Sequence, residues 1–118
     1  MIEIGSRRRP LPAPPHAVWQ SLTEPRRPGS RPWLVLLDDE VEPGIVEAVE
    51  PTRVVWASIW PSRPRDRIEF DLEPDGDGTG LRWTVRTPDE APDASKTGHI
   101  RYRMNVLINQ ELRYSYGQ

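Results

Sequence analysis

The chain has no cysteine, and that absence removes disulfide frameworks, thiolate nucleophiles and cysteine zinc sites together. An intracellular setting fits. Histidine is nearly as scarce, at two residues. His16 and His99 stand far apart, with no serine or acid at a triad spacing and no His-Glu-x-x-His pattern, so neither a hydrolytic triad nor a metal site is expected. An excess of one charge is lacking too: 16 basic and 18 acidic residues leave a formal net charge of -2, which offers no electrostatic footprint for nucleic acid. The one basic run, Arg7 to Arg9 beside Pro10, reads as a solvated strand end. No apolar run approaches the length of a signal-peptide core or a membrane span, and the charges of MIEIGSRRRP follow its few apolar residues. A cytoplasmic protein without membrane insertion is the expectation. Lys96 is the single lysine and proline reaches 14, a bias that fits a GC-rich bacterial genome and carries no function.

What the chain does have is periodicity. At 118 residues it is expected to form a single domain, residues 1–118, with one core and one site. Ile2 and Ile4 alternate about Glu3, which predicts a strand from Met1 to about Arg9. In LPAPPHAVWQSLTEP, Pro14 and Pro15 suit a first helical turn, Val18, Trp19 and Leu22 form an apolar stripe, and Pro25 ends a helix of about three turns. RRPGSRP reads as loop. Period-two patterns then predict a strand or strand pair in WLVLLDDEV, a strand over 44–50 and another over 53–59, with a tight turn at Glu50-Pro51-Thr52. FDLEPDGDGTGLRWTV is the plainest hairpin, with Ile68, Phe70 and Leu72 facing the same side as Leu81, Trp83 and Val85, and with glycines of positive φ in the turn. The acids at 69, 71 and 73 are expected to oppose Arg82 and Arg86 on the other face. Asp71, Glu73, Asp75 and Gly76 imitate half a calcium loop, but Pro74 intrudes and Arg82 stands where a glutamate would be needed.

After the polar stretch TPDEAPDASKTG, a cap at Ser95 or Thr97 introduces a helix running to the end of the chain. At 100° per residue, Ile100, Met104, Leu107, Ile108 and Tyr114 share one face, with Tyr102, Asn109 and Arg113 opposite and Asn105 also outward. A sheet with one apolar face and a helix with one apolar stripe cover each other. The expected class is therefore α+β, a curved antiparallel sheet wrapped on one long C-terminal helix.

Three stretches carry a resemblance beyond this: APPHAVWQSLTEP, GIVEAVEPTRVVWAS and RIEFDLEPDGDGTGLRWTV, closed by GHIRYRMNVLINQELRYSYGQ. In this order they resemble the START-like or SRPBCC superfamily, whose helix-grip fold holds pollen-allergen-type ligand binders, polyketide cyclases and chaperone-activator domains. The resemblance spans nearly the whole chain. RRPGSRP departs from it, being too short for the second small helix, so one wall of the implied cavity is expected to be thin or open.

That resemblance implies a cavity between sheet and helix, read here as a site for an apolar or aromatic small molecule, and no cofactor is expected. Trp56, Trp60 and Trp83 are large for a small core, since each buries about 200 Å² and needs an acceptor for its indole N–H. The expected wall draws on Val46, Ala48, Trp56, Phe70, Trp83, Met104 and Ile108, while Trp19 and Trp33 serve as core and loop anchors. Glu111 falls inside the helix's apolar stripe, where an unpaired carboxylate is costly. It is a candidate polar hook for ligand, the alternatives being an inward arginine or water at the helix end. The reading is binding without evident catalysis. Its rivals are a polyketide cyclase or aromatase-like enzyme, for which Glu111, His99, Tyr114 and Tyr102 are the available proton-moving groups, and a chaperone-activator-like interaction module whose apolar surface meets another chain, a homodimer included.

Overall fold

The computed structural model describes residues 1–117. Five strands form one antiparallel sheet: β1 (Ile2–Leu11), β2 (Ile45–Val49), β3 (Arg53–Ala57), β4 (Arg67–Asp75) and β5 (Gly78–Thr87), in the order β1-β5-β4-β3-β2. Strand alternation decides the two faces. Val54, Trp56, Ile68, Phe70, Leu72, Leu81, Trp83 and Val85 point inward and are buried. The outward acids are neutralised strand to strand: Glu69 by Arg86 at 3.1 Å, Asp71 by Arg53 at 2.8 Å and Glu73 by Arg8 at 3.2 Å. Only the first of these is a pairing expected within the hairpin. Arg53 and Arg8, from the flanking strands, take the other acids, and Arg82 donates to Ser6 Oγ instead. In the hairpin turn Gly76 takes a φ of 59°, whereas Gly78 is required for a different reason, because a Cβ there would strike the carbonyl of Leu11.

Helix α1 (Pro15–Thr23) begins with proline in its first turn and buries Val18 and Leu22. It stops before Pro25, whose ring would clash with the preceding turn. The C-terminal helix starts earlier than the cap at Ser95 or Thr97 would allow: α2 (Ala94–Asn105) is capped by Asp93, which accepts from the amide of Lys96 at 2.8 Å. It continues as a π-helical stretch (Val106–Leu112) and a last turn, α3 (Arg113–Ser115).

The π stretch corrects the helical projection. Each i→i+5 turn takes in one residue more than an α turn, so the buried stripe runs Ile100, Met104, Leu107, Ile108, Leu112. Tyr114, expected inward, is 58% exposed, and Tyr116 packs against the core in its place. Asn105, expected outward, meets Arg9 of β1.

Two further expectations fail. WLVLLDDEV is not a strand. Trp33 and Leu34 are both buried, which breaks alternation, and the chain turns at Leu37–Glu40, where the Glu40 amide donates to the Leu37 carbonyl at 3.0 Å and the Leu37 amide to Glu40 Oε1 at 2.9 Å. Val46 and Ala48 do not line the core either. β2 is an edge strand beyond the elements that cover the sheet, and all five of its residues are exposed.

Candidate functional site

Trp56, Phe70, Trp83, Met104 and Ile108 come together between sheet and helix, each fully or almost fully buried. Trp56 stands edge-on to Phe70, with ring centroids 4.7 Å apart and planes at 73°. Phe70 in turn lies opposite Trp83 in the β4–β5 register. The Trp56 indole N–H donates to the Leu22 carbonyl at 2.9 Å, tying β3 to the end of α1. Glu111 is half-buried, with no ion pair or hydrogen bond among the described residues. His99, Tyr102 and Tyr114 do not converge with it on a common cleft: Tyr102 and Tyr114 are exposed, and His99 sits in the second turn of α2.

Three surface clefts are described, and none of the six residues expected at the site lines them. One cleft, of about 250 Å³, nevertheless reaches their neighbourhood. It is walled by Ala17 and Ser21 of α1, by Arg27, Arg31 and Trp33 of the following loop, and by Tyr116 beyond the last helical turn. Trp33 links it to the interior, because its ring stacks on Trp56 with centroids 6.1 Å apart and planes 22° from parallel. An aromatic row therefore runs Trp33, Trp56, Phe70, Trp83 from the cleft across the inner face of the sheet.

The row carries two unanswered donors. The indole nitrogens of Trp33 and Trp83 are buried without a hydrogen-bond partner among the described residues, whereas those of Trp19, Trp56 and Trp60 each reach an oxygen. An unsatisfied buried donor costs about 1–3 kcal/mol. At the cleft's far wall the Tyr116 hydroxyl donates to Ser21 Oγ at 2.7 Å, and Ser21 to the Ala17 carbonyl at 3.1 Å. Burial pushes the Tyr116 phenol up to about 12, against the opposing effect of its hydrogen bond to Ser21.

A second polar group was not expected from the sequence. Glu40 and Arg103 form a buried ion pair, with Nη2 to Oε1 at 2.7 Å and Nε to Oε2 at 2.9 Å, their side chains 0% and 6% exposed. Trp60 donates its indole N–H to the same carboxylate at 3.2 Å, and Arg103 also donates to the Val35 carbonyl. Desolvation works against the Glu40 charge, but the Arg103 hydrogen bonds, the Leu37 amide and the Arg103 charge outweigh it and hold the carboxyl below its ordinary range. Arg103 is raised by the same hydrogen bond, with burial opposing. The available signal was Arg103 itself, one residue before Met104 on the buried side of an amphipathic helix.

Comparison with solved structures places this architecture. No protein-family model matches the chain, and no curated protein does. The solution structure of the Aha1 dimer from Colwellia psychrerythraea is similar with a TM-score of 0.69 at 19% identity, over 98% of this chain and 96% of that one. CalU16 from Micromonospora echinospora gives 0.65 at 20% identity, over 88% and 70%. Ara h 8.0201 is a third similar structure, with a TM-score of 0.55 at 13% identity, over 97% of each chain. The chain shares the fold of these structures, a curved antiparallel sheet gripping a long C-terminal helix, and the α+β class expected from its periodicity is the observed one.

Proposed function

We propose that this protein binds an apolar, aromatic small molecule that carries a hydrogen-bond acceptor, without transforming it. The observation that supports the reading most is Trp33: it lines the cleft, keeps a buried indole N–H without an acceptor, and stacks on Trp56 at the head of the aromatic row. A ring laid along Trp33 gains apolar burial, and an acceptor atom on it satisfies the donor. Trp56, Phe70, Trp83, Met104 and Ile108 supply the apolar wall behind. The cleft, at about 250 Å³, lies near the small end of ligand pockets, which suits one or two rings. Arg27 and Arg31 at its rim favour an electron-rich or acidic substituent. Glu111 is kept as the helix's carboxylate open to a ligand donor.

Titration with 2-naphthol, followed by tryptophan fluorescence, tests this reading. Saturable one-to-one quenching is expected, weakened about tenfold in Trp33→Phe, which keeps the ring's bulk and loses the donor. Linear, unsaturable quenching overturns it. Glu111→Leu with unchanged affinity removes Glu111 from the site.

A second reading rests on β2. Ile45, Val46 and Val49 are exposed on this edge strand, and Val35, Leu37 and Val41 are exposed in the segment that precedes it. An edge with unpaired backbone groups and apolar side chains is a template for strand pairing, and a second copy of this chain is the partner proposed for it.

A further inference from the structure

The cleft at Trp33 has a charge balance of its own. Two arginines and one acid line it, Arg27 and Arg31 against Glu24, which leaves a formal excess of one positive charge. The chain as a whole is at -2, so the sign belongs to the cleft and not to the surface at large.

Hydrogen bonds bring both guanidiniums to the rim. Arg27 donates from Nε to Ser30 Oγ and from Nη1 to Gln20 Oε1, each at 3.0 Å, which braces it between α1 and the loop that follows. Arg31 donates from Nη1 to the Tyr114 carbonyl at 3.4 Å, which ties the same loop to the end of the C-terminal helix. Nη2 of Arg27, with Nε and Nη2 of Arg31, finds no acceptor among the described residues. Glu24 shares the cleft but pairs with neither arginine, whereas the adjacent Arg26 is answered by Glu42. On the same cleft stands Trp33, 2% exposed, with an indole N–H that has no acceptor. One cleft therefore joins an aromatic wall, a buried donor without a partner and two cations with unused donors.

We propose that the ligand of this cleft is an aromatic carboxylate, its ring on Trp33 and its carboxylate against Arg27 and Arg31; the inference rests on the reading of this cleft as the ligand site. A planar carboxylate matches the guanidinium fork, and its two oxygens accept about four hydrogen bonds, so one group can meet both the unpaired donor and the unpaired charge. The single excess positive charge suits a monoanion. Glu24 opposes a dianion such as a phosphate monoester, and the two arginines repel an amine. Both arginines are exposed, so water and salt screen the effect.

Calorimetric titration of the intact protein at mildly alkaline pH, with 2-naphthoate, 2-naphthol, 2-naphthyl phosphate and 2-naphthylmethylamine, presents one ring system with four different charges. At low salt 2-naphthoate should bind about tenfold tighter than 2-naphthol. Most of that preference should vanish at about 1 M salt. The phosphate should bind no tighter than the carboxylate, and the amine should bind weakest. Arg27→Gln and Arg31→Gln should each cut the preference for 2-naphthoate over 2-naphthol about three- to fivefold. Glu24→Gln should raise it, and this variant decides the matter should an arginine variant fail to fold, because the Glu24 side chain makes no hydrogen bond among the described residues. Arg65→Gln, in an exposed pair with Asp89 outside the cleft, should leave the preference as it is. 2-Naphthol bound as tightly as 2-naphthoate, a preference that survives the Arg27, Arg31 and Glu24 variants unchanged, or a tighter 2-naphthyl phosphate would each overturn the carboxylate while the cleft stays a ligand site. Saturable binding by none of the four would overturn both.

Discussion

Glu40 and Arg103 show how one pair of side chains settles the course of a segment. Residues 33–41 alternate well enough to suggest a strand, yet the Glu40 carboxylate is drawn inward to meet Arg103, Trp60 and the Leu37 amide, and the chain turns to let it. Two charges have lost their water here, so the pair is expected to be far costlier to break than to replace. Glu40→Gln or Arg103→Met alone should destabilise the protein by about 3–5 kcal/mol, while Glu40→Leu with Arg103→Met should recover most of that loss. Urea unfolding of the three variants checks the expectation, and additive losses would place the two residues outside one unit. The pH dependence has a definite sign. The Glu40 carboxyl is depressed in the folded protein from a value of 4.5, so its contribution is complete above that pH and is lost as pH falls through the lower folded value. Wild type should therefore lose stability on acidification in a window that Glu40→Leu with Arg103→Met lacks. Glutamate in an alternating run carries no mark of burial, because its partner lies 63 residues away. Glu111 is the converse case, flagged by position on an α projection and released by the π stretch to a half-exposed site without a partner among the described residues.

At the scale of elements, the hairpin, α1 and the C-terminal helix were legible because each is specified by local pattern: alternation with a glycine turn, proline before an apolar stripe, and a stripe at helical spacing. Their ends were less so. Asp93 rather than Ser95 or Thr97 caps α2, and the side chain that caps is decided by which one reaches a free amide. The π stretch is not marked in advance, since an α projection also turns Leu107 and Ile108 inward and departs from the buried stripe only beyond them, at Glu111, Leu112 and Tyr114. The helix and the sheet's inner face remain mutually dependent. Burying a large aliphatic or aromatic side chain contributes about 1.5–3 kcal/mol, and Met104, Leu107, Ile108 and Leu112 are all completely buried. Ending the chain before Asn105 strips most of that cover and bares an apolar patch beyond the few hundred Å² that soluble monomers tolerate. Such a truncation should accumulate in the insoluble fraction, and a soluble product with a cooperative melt would show that the helix is dispensable to the sheet.

At the scale of the whole molecule the helices cover the middle of the sheet and the β1 side, and β2 is left as an open edge with Val46 53% exposed. If a second copy pairs there, light scattering should show a mass that rises with concentration, and Val46→Lys, which places a charge on the edge, should hold the protein monomeric. A wild type that stays monomeric at every concentration removes that reading. Periodicity and turn chemistry between near neighbours are enough to set the α+β class, the existence of the hairpin and most of the apolar identities of the core. What folding adds is that Val46 and Ala48 lie outside, that Trp33 joins a cleft to the aromatic row, that Glu40 is buried against Arg103, and that Asn105 meets Arg9 of β1. The physical reason is the same for all four: each depends on which surfaces meet across the sheet and the helix, and contacts between residues far apart in the chain leave no period in it.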